Sequence, residues 1–200
     1  MPKKFEKEFI SYCENQNLEV NPNQIKVIKK LEDYHNSNYK SFFSKLFSKQ
    51  KSKKGFYLYG GVGVGKTMIL NFFYDHLEEK KLKKHFNEFM LGFHDFVHEQ
   101  KEKNEENVIN QFVKNLKSKA SLVYFDEFQV TNIVDAMILG KLFEQMFKED
   151  IKIILTSNTK ISELYKEGLQ REQFIPFIKI MEDQSIEYEL KIEDDYRKSN

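Results

Sequence analysis

The sequence predicts an α/β fold in which parallel strands alternate with helices. Three short apolar runs favour this fold, and each ends in glycine or polar residues. Residues 56–59 run into a glycine-rich stretch, residues 122–125 end in an Asp-Glu pair, and residues 151–155 end in Thr-Ser-Asn. Short apolar runs are typical of buried strands in parallel sheets. Because ligands bind outside the carboxyl ends of such strands, we expect the three polar ends to share one site.

The glycine-rich stretch carries the most specific motif of the chain. Residues 60–67 have the spacing G-x-x-x-x-G-K-T of a phosphate-binding loop. Glycine permits backbone conformations that point successive N–H groups at one anion, and a helix beginning near Lys66 adds its positive dipole end. The residues expected to bind the nucleotide are Gly60, Gly61, Val62, Gly63, Val64, Gly65, Lys66, Thr67 and Met68.

Two of these residues have a more specific expected role. Lys66 is predicted to reach the β- and γ-phosphates of ATP, and Thr67 to place its hydroxyl on Mg²⁺. The alternative is a glycine-rich turn that matches the pattern by chance. The strand-like run before the loop and the helical pattern after it favour the nucleotide site.

The Asp-Glu pair at 126–127 is the second candidate centre. Asp126 is predicted to hold the coordination shell of Mg²⁺, and Glu127 is predicted to polarise the water that attacks the γ-phosphate. An Asp-Glu pair after a strand is a weak signal alone. Its place roughly sixty residues after a phosphate loop makes it a strong one.

The Thr-Ser-Asn triplet at 156–158 is the third candidate centre. Because it follows a buried strand, Asn158 is predicted to contact the attacking water or the γ-phosphate. The alternative is that Asn158 only caps the turn that follows.

The rest of the chain is mostly helical by its apolar spacing. We expect helices at residues 3–18, 22–47, 66–73, 89–101, 108–116 and 133–147, and a further helix that starts at 161 and ends at Gly168. Residues 84–88 and 185–192 are predicted strands, and 78–84 a charged turn. A basic connector at 48–54 is interpreted as a solvated loop, although it could touch an acidic partner.

Composition excludes several classes of protein. Two hundred residues with 40% apolar and 32% charged side chains suit one soluble domain. The lack of a long apolar run leaves peripheral membrane association open but predicts no transmembrane segment. The net charge of +1 gives no strong nucleic-acid signal, and the lone Cys13 favours a reducing, cytoplasmic location. His94 and His98 have the spacing of a zinc helix, but surface or packing roles are favoured over metal binding.

Taken together, these motifs resemble those of the ZapE family of AAA+ ATPases and its mitochondrial relatives. The resemblance covers about residues 18–197, and it rests on residues 58–67, 125–131, 135–140, 156–158 and 164–177, with 85–90 and 195–197 fitting more loosely. It implies a P-loop AAA+ core with a five-stranded parallel sheet of order 5-1-4-3-2. Family members continue into a helical lid, which we expect this chain to lack. We expect residues 1–50 to form a helical segment that packs on a core of residues 51–200.

The resemblance also implies a function. It implies a ring in which Arg171 acts on the nucleotide of the neighbouring subunit, as an arginine finger does. Arg171 is one of only two arginines in the sequence, which favours this role over a surface ion pair. The implied activity is ATP hydrolysis coupled to remodelling or positioning a protein partner, in cell division or membrane-protein quality control. The alternative is a nucleotide-binding module with little turnover.

Overall fold

A computed structural model describes residues 4–39, 52–100 and 104–192 of the chain. Its strands are β1 (Gly55–Tyr59), β2 (Lys81–His85), β3 (Leu122–Asp126), β4 (Lys152–Ser157) and β5 (Ser185–Glu189). They form one sheet in the order β2-β3-β4-β1-β5, and every neighbouring pair is parallel. The predicted order 5-1-4-3-2 is therefore confirmed.

Helices connect these strands and cover the sheet. They are α1 (Lys4–Asn15), α2 (Pro22–Tyr39), α3 (Lys66–Asp75), α4 (Phe86–Glu99), α5 (Glu105–Lys119), α6 (Ile133–Lys148) and α7 (Ile175–Gln184). Asparagine caps explain where two of them begin, because a side-chain oxygen satisfies an N–H group of the first turn. Asn104 accepts from Glu106 and Asn107 before α5, and Asn132 accepts from Val134 before α6.

The side chains of the central strands alternate between two apolar clusters, one on each face of the sheet. On β3, Val123 and Phe125 join the cluster formed with α4, α5, α6 and α7. Leu122 and Tyr124 join the other cluster, which contains buried residues of α1, α2 and α3. The sheet is therefore a middle layer, and α1 and α2 pack on the same face as the helix that follows the glycine-rich loop.

Strand β2 lies three residues earlier than predicted, so the expectation of a charged turn at 78–84 and a strand at 84–88 was wrong. The sequence pattern of β2 is not apolar, because the strand carries Lys81, Lys83 and Lys84. Lysine is common in strands at the edge of a sheet, and β2 is such a strand. The long lysine side chains bend back onto other groups, and Lys81 Nζ donates to the Leu77 carbonyl at 2.6 Å. Residues 86–88, which were expected to end the strand, instead begin α4.

The region after β4 also differs from the expectation. The helix expected from residue 161 is one 3-10 turn, Ile161–Glu163, and a second such turn spans Arg171–Gln173. Helix α7 (Ile175–Gln184) was not predicted, and Pro176 lies in its first turn, where the missing N–H group costs nothing.

Some sequence-based expectations lie outside the described residues. These are the helical extension to residue 47, most of the basic connector, and the resemblance at 195–197. Within the described ranges, no helix combines the length and apolar character needed to cross a membrane.

Candidate functional site

The glycine-rich loop joins β1 to α3, which begins at Lys66 as predicted. Two of its glycines are required by geometry. A Cβ atom on Gly60 would lie 2.3 Å from the Leu190 carbonyl oxygen, and Gly60 has a φ of +155°. Gly65, with a φ of +91°, caps α3, and a Cβ atom there would lie 2.7 Å from Gln24 Nε2. The loop is thus closely packed by α2 and by the residue that follows β5, and it takes backbone conformations that L side chains rarely adopt.

The Lys66 side chain lies inside the curve of this loop. Its Nζ donates to the carbonyl oxygens of Gly60 at 2.8 Å and Gly61 at 2.7 Å, and to Asn158 Oδ1 at 2.9 Å. Burial lowers the pKa of Lys66, and the negative charge of Asp126 opposes that shift. The ammonium group therefore joins the loop to the end of β4.

Asp126 lies at the end of β3 with only 5% of its surface exposed. Its Oδ1 accepts hydrogen bonds from Thr67 Oγ1 at 3.0 Å and from Thr156 Oγ1 at 2.7 Å. Its Oδ2 is 3.8 Å from Lys83 Nζ on β2. Two hydroxyls and a nearby lysine thus hold this buried carboxylate toward the start of α3.

Glu127 follows directly and faces the other way, since its side chain is exposed. Its φ of +54° is left-handed, which is uncommon for a residue with a Cβ atom. The backbone therefore turns sharply between the two carboxylates, so that one is buried and the other faces a cavity.

The residues after β4 hold Asn158 beside Lys66. Because an ammonium group only donates, it engages the amide oxygen of Asn158, and the amide N–H groups stay free to donate to an anion. The turn itself is closed by Ser157, whose Oγ accepts from Thr159 N at 3.2 Å. The Asn158 amide oxygen is engaged by Lys66, and Ser157 supplies this hydrogen bond of the turn.

A cavity of about 600 Å³ opens between these elements. The predicted residues that line it are Val62, Gly63, Lys66, Thr67, Glu127 and Asn158. The others, Gly60, Gly61, Val64, Gly65, Met68, Asp126 and Arg171, do not line it. The structure thus brings together the ends of β1, β3 and β4, as the three polar runs predict.

Arg171 lies apart from this group. Its Nη2 donates to the Ser162 carbonyl oxygen at 2.8 Å, while its Nε is buried with no hydrogen-bond partner in the described part of the chain. Ser162 belongs to the 3-10 turn whose Glu163 lines the cavity, so Arg171 contacts the neighbour of a lining residue without lining the cavity itself.

Sequence reasoning missed two residues that support the site. Tyr57 Oη donates to the Thr159 carbonyl oxygen at 2.6 Å, which ties the loop after β4 to β1. Thr156 contacts both carboxylate residues, through the Asp126 side chain and the Glu127 backbone. Thr156 belongs to a polar triplet that the sequence did single out, whereas Tyr57 in its aromatic run gave no such signal.

One of the paired histidines, His94, contacts a carboxylate on a neighbouring helix. His94 Nε2 is 2.7 Å from Asp135 Oδ1, so this contact joins α4 to α6. The described residues contain no group of three or more His, Cys, Asp or Glu side chains placed to hold a metal ion.

The sheet order and the phosphate loop after β1 define a P-loop AAA+ core. Solved structures agree in fold. The DnaI structure superposes with a TM-score of 0.61 at 16% identity, covering 90% of this chain and 88% of that one. Domain III of the Thermotoga maritima replication initiation protein DnaA gives 0.59 at 16% identity, covering 90% and 68%. At these identities, the likeness concerns the fold alone.

The chain belongs to the AFG1-like ATPase family, whose family model matches residues 11–200. It is 39% identical over 161 residues to "Lactation elevated protein 1 homolog B" of Danio rerio. The matched region covers 76% of this chain and 32% of that protein. It is 37% identical over 140 residues to "Cell division protein ZapE" of Escherichia coli K12, covering 67% and 37%. The chain spans about a third of the length of these relatives.

Proposed function

We propose that this chain binds ATP with Mg²⁺, hydrolyses the γ-phosphate bond, and uses the reaction to remodel or position a protein partner. One observation carries the proposal. A single cavity is lined by the phosphate loop, by Glu127 after β3 and by Asn158 after β4. Membership in an ATPase family supports the choice of ATP.

The phosphate loop supplies the proposed nucleotide contacts. Loop residues 60–65 and the first residues of α3, through Met68, present backbone N–H groups beside a helix N-terminus, which attracts anions. Lys66 Nζ already lies within the loop, where it is proposed to exchange its carbonyl partners for phosphate oxygens. Its burial strengthens its attraction for a phosphate, because little water competes for the ammonium group.

The proposed Mg²⁺ site comprises Thr67 and Asp126. Their oxygen atoms lie 3.0 Å apart, and hydroxyl and carboxylate oxygens are the donors that Mg²⁺ prefers. When bound, Mg²⁺ supplies positive charge that offsets the charge of the phosphates. The Thr67 hydroxyl donates its proton to Asp126, so its oxygen can act as a ligand of Mg²⁺ beside the carboxylate.

The hydrolytic step is assigned to Glu127 and Asn158. Glu127 is the proposed general base, because its carboxylate is exposed at the cavity while Asp126 is buried and already accepts two hydroxyls. Asn158 uses its oxygen on Lys66, so its amide N–H groups are proposed to donate to the γ-phosphate or to hold the attacking water.

Arg171 is proposed to complete the site of a neighbouring subunit. It does not line the cavity of its own chain, and it is partly exposed, so it is accessible to a neighbouring subunit. An arginine that contacts the transferring phosphate from a neighbour lowers the barrier by neutralising charge. The proposal therefore includes self-association, in a ring by resemblance to AAA+ proteins.

The cellular role is proposed from the relatives. One matched protein is named for cell division, which supports a partner in the division machinery. The lone Cys13 supports a reducing, cytoplasmic compartment.

Phosphate release by the 200-residue chain tests the proposal. We expect release that requires Mg²⁺, stops when EDTA removes the metal, and rises in specific rate with protein concentration. A matched Lys66→Ala protein controls for contaminating ATPases. No Mg²⁺-dependent release at any concentration at which the chain self-associates would contradict the proposed hydrolysis.

The position of Arg171 also supports a second candidate function. If the site is incomplete without a neighbour, the isolated chain acts as a nucleotide-binding module with little turnover. Calorimetric titration with ATP separates the two, because the module binds ATP tightly under conditions in which phosphate release stays at the level of the Lys66→Ala control.

A further inference from the structure

Thr156 lies at the end of β4 between the two carboxylate residues of the site. Its Oγ1 donates to Asp126 Oδ1 at 2.7 Å and accepts from Glu127 N at 3.0 Å. Only 2% of Thr156 is exposed. The direction of both bonds is set by chemistry, since a backbone N–H only donates and the hydroxyl proton must therefore go to the carboxylate.

The same residue also fixes the backbone turn after β3. The Thr156 carbonyl oxygen accepts from Phe128 N at 2.7 Å, so two successive N–H groups bind one threonine. Between them, Glu127 has its left-handed φ of +54°. Such a conformation is costly for a residue with a Cβ atom and persists when surrounding contacts hold it.

Neighbouring strands bring Thr156 to this position. The β3 and β4 register pairs Phe125 with Leu155, which places Asp126 beside Thr156. Strand β4, which leads to Asn158, therefore also carries the Thr156 hydroxyl. That hydroxyl binds the Asp126 side chain and the Glu127 backbone, and the side chains of these two residues point to different sides.

We infer that Thr156 is a positioning residue. It orients Glu127 as the general base and keeps the Asp126 carboxylate directed at Thr67. This role rests on the proposed hydrolysis, because it gives Glu127 its direction as general base. Thr156 does not act on the nucleotide itself. It acts through one hydroxyl that serves both carboxylate residues.

Two substitutions separate the hydroxyl from the shape of the side chain. Thr156→Val keeps the branched shape but removes the donor and the acceptor, whereas Thr156→Ser keeps the hydroxyl and removes a methyl group. We expect Thr156→Val to lower kcat by about 10²-fold, since a small misplacement of a reacting group has that effect. ATP affinity should stay within about threefold, and Thr156→Ser should retain most of the turnover.

Amide hydrogen exchange gives a readout that needs no turnover. In Thr156→Val the Glu127 N–H loses its acceptor, so its exchange should be at least about tenfold faster than in wild type. Thr156→Ser should keep the protection. Thr131→Val is the matched control, because Thr131 is an exposed loop threonine without a hydrogen bond in the described chain, and it should change neither readout.

These measurements decide between positioning and mere packing. Equal loss of turnover in Thr156→Ser and Thr156→Val, or unchanged Glu127 exchange in Thr156→Val, would overturn the inference. If circular dichroism shows that Thr156→Val does not fold, Thr156→Ala replaces it in both assays with the same expected results. If wild type lacks Mg²⁺-dependent turnover, the proposed function fails, and the exchange data still show whether Thr156 holds the turn.

Discussion

The phosphate side of the site and the region around Arg171 are built differently. On the phosphate side, Lys66 on α3 donates to Asn158 after β4. Asp126 at the end of β3 accepts from Thr67 on α3 and from Thr156 on β4. Arg171 belongs to a 3-10 turn and contacts one carbonyl oxygen on another 3-10 turn. The first region is held by the sheet, whereas the second is held by short turns.

This difference indicates which steps one chain can perform alone. Groups fixed by strands need little rearrangement to receive a phosphate, so nucleotide binding should be a property of the single chain. Arg171 does not line the cavity of its own chain, so we expect fast hydrolysis to require a second subunit. The following predictions test that division.

Lys66→Ala should have the largest effect and break the phosphate side. The ammonium group bridges the loop and Asn158, so its loss should abolish detectable turnover and reduce ATP affinity by at least about 10²-fold, as expected for an ion contact in a buried site. Fluorescent ATP titration and phosphate release measure the two effects. Lys30→Ala, on the exposed face of α2, is the matched control. Wild-type turnover in Lys66→Ala would contradict the assignment of this loop as the nucleotide site.

Arg171→Ala should lower turnover by about 10³-fold while leaving ATP affinity near wild type, because an arginine finger acts mainly on the transition state. Arg171→Lys is the matched variant. It keeps the charge but loses the planar fork, so we expect only partial recovery. Reduced ATP affinity in the isolated Arg171→Ala chain would instead indicate a role in its own cavity.

Mixing Arg171→Ala with Lys66→Ala sharpens the same comparison. In a mixed assembly, an intact phosphate loop on one subunit can meet an intact Arg171 from its neighbour. Some phosphate release should therefore return, measured alongside light scattering that establishes co-assembly. Two inactive variants that remain inactive after co-assembly would contradict a shared site.

Glu127→Gln should slow hydrolysis by about 10²-fold or more and leave ATP binding intact, because it removes the base but keeps the shape. Single-turnover phosphate release measures the step directly. Glu163→Gln tests the competing assignment, since Glu163 is the other carboxylate among the described residues that line the cavity. A larger loss in Glu163→Gln than in Glu127→Gln would move the base to Glu163.

Local motifs explain why so much of the phosphate side was predictable. The spacing of Gly60, Gly65 and Lys66 dictates a loop and a helix start within eight residues, whatever the rest of the chain does. The strands that end in Asp126 and Ser157 are apolar runs in the centre of the sheet, so their sequence signal is strong. The sheet order came from the resemblance and not from these local patterns.

The parts that were missed depend on contacts between distant residues. Strand β2 has no apolar run, because a strand at the edge of the sheet does not need one. The hydroxyls of Tyr57 and Thr156 gain their partners only through strand register and loop position, which no local pattern encodes. The roles assigned to Asn158 and Arg171 remain predictions that the variants above test.

Tyr57→Phe should have the smallest effect. It tests how firmly β1 holds the loop after β4 that carries Asn158. Burial raises the pKa of Tyr57, so at neutral pH the hydroxyl is protonated and can donate to the Thr159 carbonyl oxygen. Its loss leaves that carbonyl without this donor and should lower the free energy of unfolding by about 1 kcal/mol. For a chain of this size, the melting temperature should fall by about 2–4 °C.

The effect of Tyr57→Phe on turnover distinguishes two ways of holding Asn158. The loop after β4 has three further anchors: Ser157 Oγ donates to the Phe128 carbonyl oxygen, Ser157 Oγ also accepts from Thr159 N, and Ile161 N donates to Glu187 Oε1. Because these remain, we expect turnover to fall by no more than about threefold. Tyr188→Phe is the matched control on β5, since that hydroxyl has no hydrogen bond in the described chain, and it should change neither stability nor rate. A drop in turnover as large as that of Glu127→Gln, with little change in melting temperature, would mean that Tyr57 alone positions Asn158 and that the other anchors do not.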